Sequence, residues 1–234
     1  MGVTTFLFAQ TIAPKKCNTC GVSLGNCQYK GKHGIHKGHE WVDLGLPSGT
    51  KWASTNIGAN SPSDYGGYYS WGEITTKSFY DWNTCFDCIN SDDWLDDSSW
   101  RTYKIGGKTI ITTSSGHDAA RENWKGKWRM PTDAECGELC KKCTWTWTTL
   151  NGHNGCKVLG PNGNSIFLPA AGRRSFAGKD GVGTDGLYRS NTLSSGSFYS
   201  PAFSIGMFVY SYSHHTSNSF RRDGHSVRPV LDLN

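Results

Sequence analysis

Hydrophobic and polar positions alternate near the end of the chain. Phe203, Ile205, Met207 and Val209 fall on one side of a two-residue period, and Phe208, Tyr210, Tyr212 and His214 on the other. The first set reads as a core face and the second as an aromatic row on the opposite face. The same period runs through Trp41–Leu46 and, after a Pro47-Ser48-Gly49 turn, through Lys51–Thr55. It returns in three short segments, "TWTWTTLNG", "GCKVLGPNG" and "NSIFLPAAG", where Asn-Gly and Pro-Asn-Gly pairs predict hairpin turns. In the first of these, Trp145 and Trp147 share a face.

The period lengthens in two places. "GHDAARENW" predicts a short helix from Asp118 to Trp124, ended by Gly126. "KWRMPTDAECGELCKKC" predicts an extended entry over Trp128–Met130 and a helix over Asp133–Lys142. Pro131 disfavours helix in the residue before it, and Thr132 with Glu135 forms a capping box. Trp128 is expected in the core and Arg129 in a buried polar contact. Thr75–Ser115 carries loop signals throughout and is the least legible stretch. The predicted fold class is therefore mixed α+β, with many short strands and about two helices.

Composition supports that picture. The chain has 234 residues, 29 of them glycine, and is only 36% hydrophobic but 13% aromatic. Large rings let a chain poor in aliphatic residues still bury a core. The formal charge of +5 is spread out, with no basic run of the kind that binds nucleic acid, so no nucleic-acid partner is expected. No apolar segment is long enough to span a membrane. The apolar run Val3–Ala9 is short for a secretory signal and lacks a basic stretch ahead of it, so a clipped signal and a plain disordered start both fit.

Residues 1–38 are polar and end in "GKHGIHKG", which reads as an arm with a linker near Gly34–Gly38, ahead of a domain over residues 39–234. Within the arm, Cys17, Cys20, Cys27 and His33 follow C-x2-C-x6-C-x5-H. Two thiolates on one tight knuckle, a third thiolate and an imidazole have the donor chemistry of a structural zinc site. A disulfide or a thiol-bearing linker is the alternative. Cys85 and Cys88 form a C-x2-C pair without the βαβ setting of a redox motif. Cys136, Cys140 and Cys143 fall on one helix face around Leu139, which reads as a core stripe rather than a metal site, and Cys156 reads as core.

Taken in order, "HEWVDLGLPSGTKWAS", "DYGGYYSWGE", "KWRMPTDAE", "CTWTW", "GNSIFLPAAG" and "SVRPV" resemble the Fibrobacter succinogenes major paralogous domain over about residues 39–231. That domain resembles in turn the formylglycine-generating-enzyme branch of the C-type-lectin-like fold. The resemblance implies a C-type-lectin-like domain with the capped helix in its core. It does not carry the oxidase over, because that chemistry needs a cysteine pair in the C-terminal part and no cysteine follows Cys156. No nucleophile, base and orienting group can be assigned, so no enzyme activity and no catalytic cofactor are expected.

The remaining text, residues 188–225, mixes Tyr, Ser, Asn, Arg and Gly as paratopes do. The candidate ligand-binding residues are Tyr188, Arg189, Asn191, Phe198, Tyr199, Phe208, Tyr210, Tyr212, His214, His215, Asn218, Phe220, Arg222, Asp223 and His225. In lectin-like domains of this kind the segment is one that diversity-generating retroelements vary. The resemblance thus implies a receptor- or adhesin-type display protein, extracellular on a bacterial surface or phage virion, with a protein or glycan ligand on a cell surface. The alternatives are an enzyme relic and a virion or envelope structural subunit, in which the aromatic face is buried by assembly.

Overall fold

The computed structural model describes residues 33–85, 110–194 and 203–231. It shows a β-rich α+β architecture, built on one five-stranded sheet, two three-stranded sheets and a small hairpin. The five-stranded sheet starts with β1 (His33–His36) and β2 (His39–Asp43), which pair antiparallel across Lys37-Gly38. Both turn residues have positive φ, 49° and 83°, the twist a two-residue hairpin loop requires. The boundary expected after residue 38 therefore falls inside a hairpin. His33–His36 belongs to the domain sheet, because the Lys-Gly pair turns the chain back instead of linking two units. Gly34 lies against the Trp41 indole, where a Cβ would come within 2.7 Å of the ring.

The chain then turns at Gly49, whose amide donates to the Leu46 carbonyl, and enters β3 (Lys51–Ala53). Next come α1 (Ala119–Trp124), β4 (Trp128–Arg129) and α2 (Asp133–Lys142). Asp118 is the N-cap of α1 and not its first residue. Its Oδ1 accepts from the amides of Ala120 and Arg121, and also from that of Met130, so one carboxylate fixes α1 to the strand that follows. The expected capping box at α2 is present in both directions. Glu135 does more than cap: its carboxylate receives both Arg129 Nη atoms at 2.8 and 2.6 Å and the Thr50 hydroxyl at 2.9 Å. Arg129 is thus held in a bidentate ion pair at the helix N-terminus, where the carboxylate also meets the helix dipole. Trp128 is fully buried, edge-on to Trp124, and donates its indole N–H to the His36 carbonyl.

A meander of β5 (Thr144–Leu150), β6 (His153–Leu159) and β7 (Ser165–Pro169) follows, turning at Asn151-Gly152 with the expected positive φ values. β8 (Arg173–Ser175) and β9 (Gly178–Asp180) form the small hairpin. β10 (Gly186–Leu193), β11 (Phe203–Val209) and β12 (His214–Phe220) form the second three-stranded sheet, with β11 central. The chain returns as β13 (Val230–Leu231), which pairs with both β3 and β4 and so closes the five-stranded sheet from the far end of the sequence.

The main core joins these layers. Val42, Leu44, Trp52, Cys136, Leu139, Cys156, Val158, Leu168, Tyr188, Met207, Val209 and Val230 form one buried cluster, with Cys140, Cys143, Trp145 and Trp147 packed at its edge. The helix cysteines are free thiols in this apolar stripe, and burial pushes the Cys140 thiol up to about 12. Arg228, fully buried, binds the sheets together. It donates to Asn56 Oδ1, to the Ala53 carbonyl at the end of β3 and to the Phe167 carbonyl of β7. Among the described residues no helix is long and apolar enough to cross a membrane.

Candidate functional site

The β10–β12 sheet has two faces. Tyr188, Met207 and Val209 point into the main core, and the Tyr188 hydroxyl donates to the Pro169 carbonyl. On the other face the register places Arg189 beside Gly206, Ser204 opposite Ser219 and Phe208 opposite His215. This second face divides into a buried half and an exposed half.

Arg189 organises the buried half. Its Nη1 donates to Ser204 Oγ at 2.6 Å and Ser219 Oγ at 2.9 Å; its Nη2 donates to the Phe220 and Asp223 carbonyls. Full burial pushes the guanidinium down to about 9, so it stays charged at neutral pH. Asp223 lies within 3.6 Å of Arg173 and 3.7 Å of Arg222, yet burial outweighs these cations and raises its carboxyl above the usual range. His225 is fully enclosed, edge-on to Phe208, and both ring nitrogens lack a hydrogen-bond partner among the described residues. Burial first, then Arg189 and Arg173, holds the ring well below the ordinary histidine range.

The exposed half is an aromatic row. Phe208 and His215 lie parallel at 5.8 Å, Phe208 and Tyr210 stack at 6.3 Å with 29° between their planes, and Tyr210 and Tyr212 stack at 5.6 Å with only 10°. The Tyr210 amide donates to the Ser213 carbonyl and closes the β11–β12 turn, which lifts Tyr212 to the tip, 84% exposed. Burial is the first cause that raises the Tyr210 phenol, followed by Asp185 and Tyr212.

A second aromatic group lies where β12 ends. The Arg222 guanidinium sits about equally over Trp82, Phe176 and Phe220, at 5.1, 5.0 and 5.1 Å, and Phe220 stacks on Phe203. Phe176 is itself 49% exposed and touches Phe79. Trp82, Phe176 and Phe79 come from segments far from residues 188–225, and no local pattern marked them.

The structure corrects several of the expected ligand contacts. Tyr188, Arg189, Asn191, Asp223 and His225 are buried, with their polar groups committed to the fold or enclosed by it, so none reaches a ligand at the surface. His214 lies on the core side of β12, half-buried and stacked on Trp145 at 4.5 Å; His215 takes the place in the row given to it. Asn218 is exposed on β12. Phe203 and Ile205, expected in the core with Met207 and Val209, are only half-buried. Phe198 and Tyr199 lie outside the described residues.

Of the expected zinc ligands, Cys17, Cys20 and Cys27 also lie outside the described residues. His33 is a buried residue of β1, with Nδ1 3.6 Å from Glu40 Oε1. Among the described residues no group of three or more His, Cys, Asp or Glu is arranged to hold a metal. Cys85 is disulfide-bonded. No family model, curated protein or solved structure matches this chain.

Proposed function

We propose that this is a non-catalytic ligand-binding protein of the C-type-lectin-like kind, displayed outside the cell, whose contact surface is the exposed half of the β11–β12 face. The observation that carries this reading is the stacked row Phe208–Tyr210–Tyr212, with His215 beside it and Tyr212 open to solvent. Aromatic rings held rigid before binding give contact area at little entropy cost. The Arg189 network beneath supplies that rigidity by tying β10, β11 and β12 together. Ser217, exposed on the same face of β12 as His215, adds a polar group beside the row.

Two of the phrases behind the resemblance support the reading through their scaffold roles. "WRMPTDAE" forms the strand, the cap and the Arg129–Glu135 pair, and "SVRPV" supplies Arg228 and the start of β13. The disulfide at Cys85 fits an oxidising compartment. If a retroelement diversifies the segment, variation belongs at Tyr210, Tyr212, His215 and Ser217, and not at the buried Tyr188, Arg189, Asp223 or His225.

The test begins with purified protein on glycan arrays and on bacterial cells. Where it binds, Tyr212→Ala should weaken binding by about tenfold or more, the signature of an aromatic hot spot. Unchanged affinity in that variant would contradict the placement of the surface.

A further inference from the structure

A second recessed site lies away from the aromatic row, at the seam between the five-stranded sheet and the outer face of β5–β7. It is a cavity of about 250 Å³. Val42, Pro62, Leu150 and Phe167 supply apolar walls, Ser54, Thr148 and Ser165 supply hydroxyls, and Lys157 supplies the charge.

The walls are held in place from both sides. Arg228 crosses the seam, donating to the Ala53 carbonyl beside Ser54 and to the Phe167 carbonyl itself. Asn151 Nδ2 reaches Ser63 Oγ at 3.2 Å and fixes the loop that carries Pro62 to the β5–β6 turn. A cavity fixed in this way needs little ordering on binding.

Its electrostatics are one-sided. Lys157 lies on β6 between Thr146 and Phe167 in register, is exposed, and forms no ion pair among the described residues. None of the lining residues is acidic. A cationic ligand would meet an uncompensated ammonium there, and a purely apolar one would leave the hydroxyls and the ammonium without new partners. A single ammonium, with no arginine beside it, suits a single negative charge better than a phosphate dianion. The small volume and the Phe167 wall suit a compact flat body.

We propose that this cavity binds a small monocarboxylic acid with an aromatic or similarly compact apolar body. The carboxylate meets Lys157 and the neighbouring hydroxyls, and the body packs against Phe167, Leu150, Val42 and Pro62. The site is independent of the aromatic row.

The probe is 3-phenylpropionate, titrated into the full chain by calorimetry, with 3-phenylpropylamine as a size-matched cation. The acid should bind saturably and the amine should not. Lys157→Gln, an exposed change that leaves the melting temperature in place, should weaken the acid by about tenfold or more. Tyr212→Ala should leave acid binding unaltered, which separates this site from the contact surface proposed above. Thr148→Trp, which fills the cavity, should abolish binding. No saturable binding of the acid up to about 10 mM, equal binding of acid and amine, or full affinity in Lys157→Gln would overturn the proposal.

Discussion

The two halves of the β10–β12 face are written in nearly the same alphabet, yet they do opposite work. One holds Arg189, Ser204, Ser219, Asp223 and His225, all buried; the other holds Phe208, Tyr210, Tyr212 and His215, half-buried to open. In the first, polar groups face inward and aromatic Phe208 closes the edge. In the second, aromatic groups face outward. Polarity alone therefore does not mark the contact surface of such a segment. The returning chain at residues 221–226 decides it, because that segment covers one half and not the other.

The largest effect expected from breaking this comparison is on the buried side. Arg189→Met removes the charge but leaves Ser204, Ser219 and two carbonyls to find new partners. The loss should be about 3–5 kcal/mol of stability by denaturant melts, as for a buried pair broken from one side. A variant as stable as the parent would show that the Arg189 network does not hold the three strands together.

His225 gives the same half a pH signature. Its folded-state pKa is depressed by burial, so an unfolded histidine near 6.5 takes a proton that the fold resists. The unfolded state then binds more protons, and stability falls as pH drops below about 6.5. Asp223 and Asp118, whose carboxyls are raised by burial, act in the opposite sense at lower pH. His36 and His214 are shifted in the same direction as His225, so the mutant comparison is needed. Melts between about pH 7 and 5.5 should show the acid loss in the parent and a clearly smaller one in His225→Gln. Equal slopes in both would assign the effect elsewhere.

Arg222 lies beside Asp223 at the end of β12 far from the Tyr212 tip, and its removal should have a smaller effect. It is partly open and held over three rings, so Arg222→Ala should cost about 1 kcal/mol. A loss as large as that of Arg189→Met would move it into the buried network.

What could be read from the sequence was local. The capping box at Thr132, the Asn151-Gly152 turn and the inward set Met207 and Val209 depend on neighbours within a few residues, and each stands where its pattern put it. The β1–β2 hairpin was hidden because a Lys-Gly turn carries a weaker signal than Asn-Gly and sat in a glycine-rich, polar stretch. Arg189 and Arg228 were illegible as buried groups, since an arginine is ordinarily a surface residue; only the tertiary fold brings the acceptors that make burial tolerable. The tip was partly legible. The alternation put Phe208, Tyr210 and Tyr212 together but carried His214 along with them, because a strict two-residue period cannot see the turn at Tyr210–Ser213 that exchanges His214 for His215.

The central claim is that the exposed half binds while the buried half folds. Its most direct test is the double variant Tyr210→Ala/Tyr212→Ala, measured for melting temperature and for binding to the cells or glycans that the parent recognises. The account predicts a melting temperature close to that of the parent and binding weakened by about 2 kcal/mol or more. A variant that unfolds, or one that folds and binds with the parent's affinity, would contradict it.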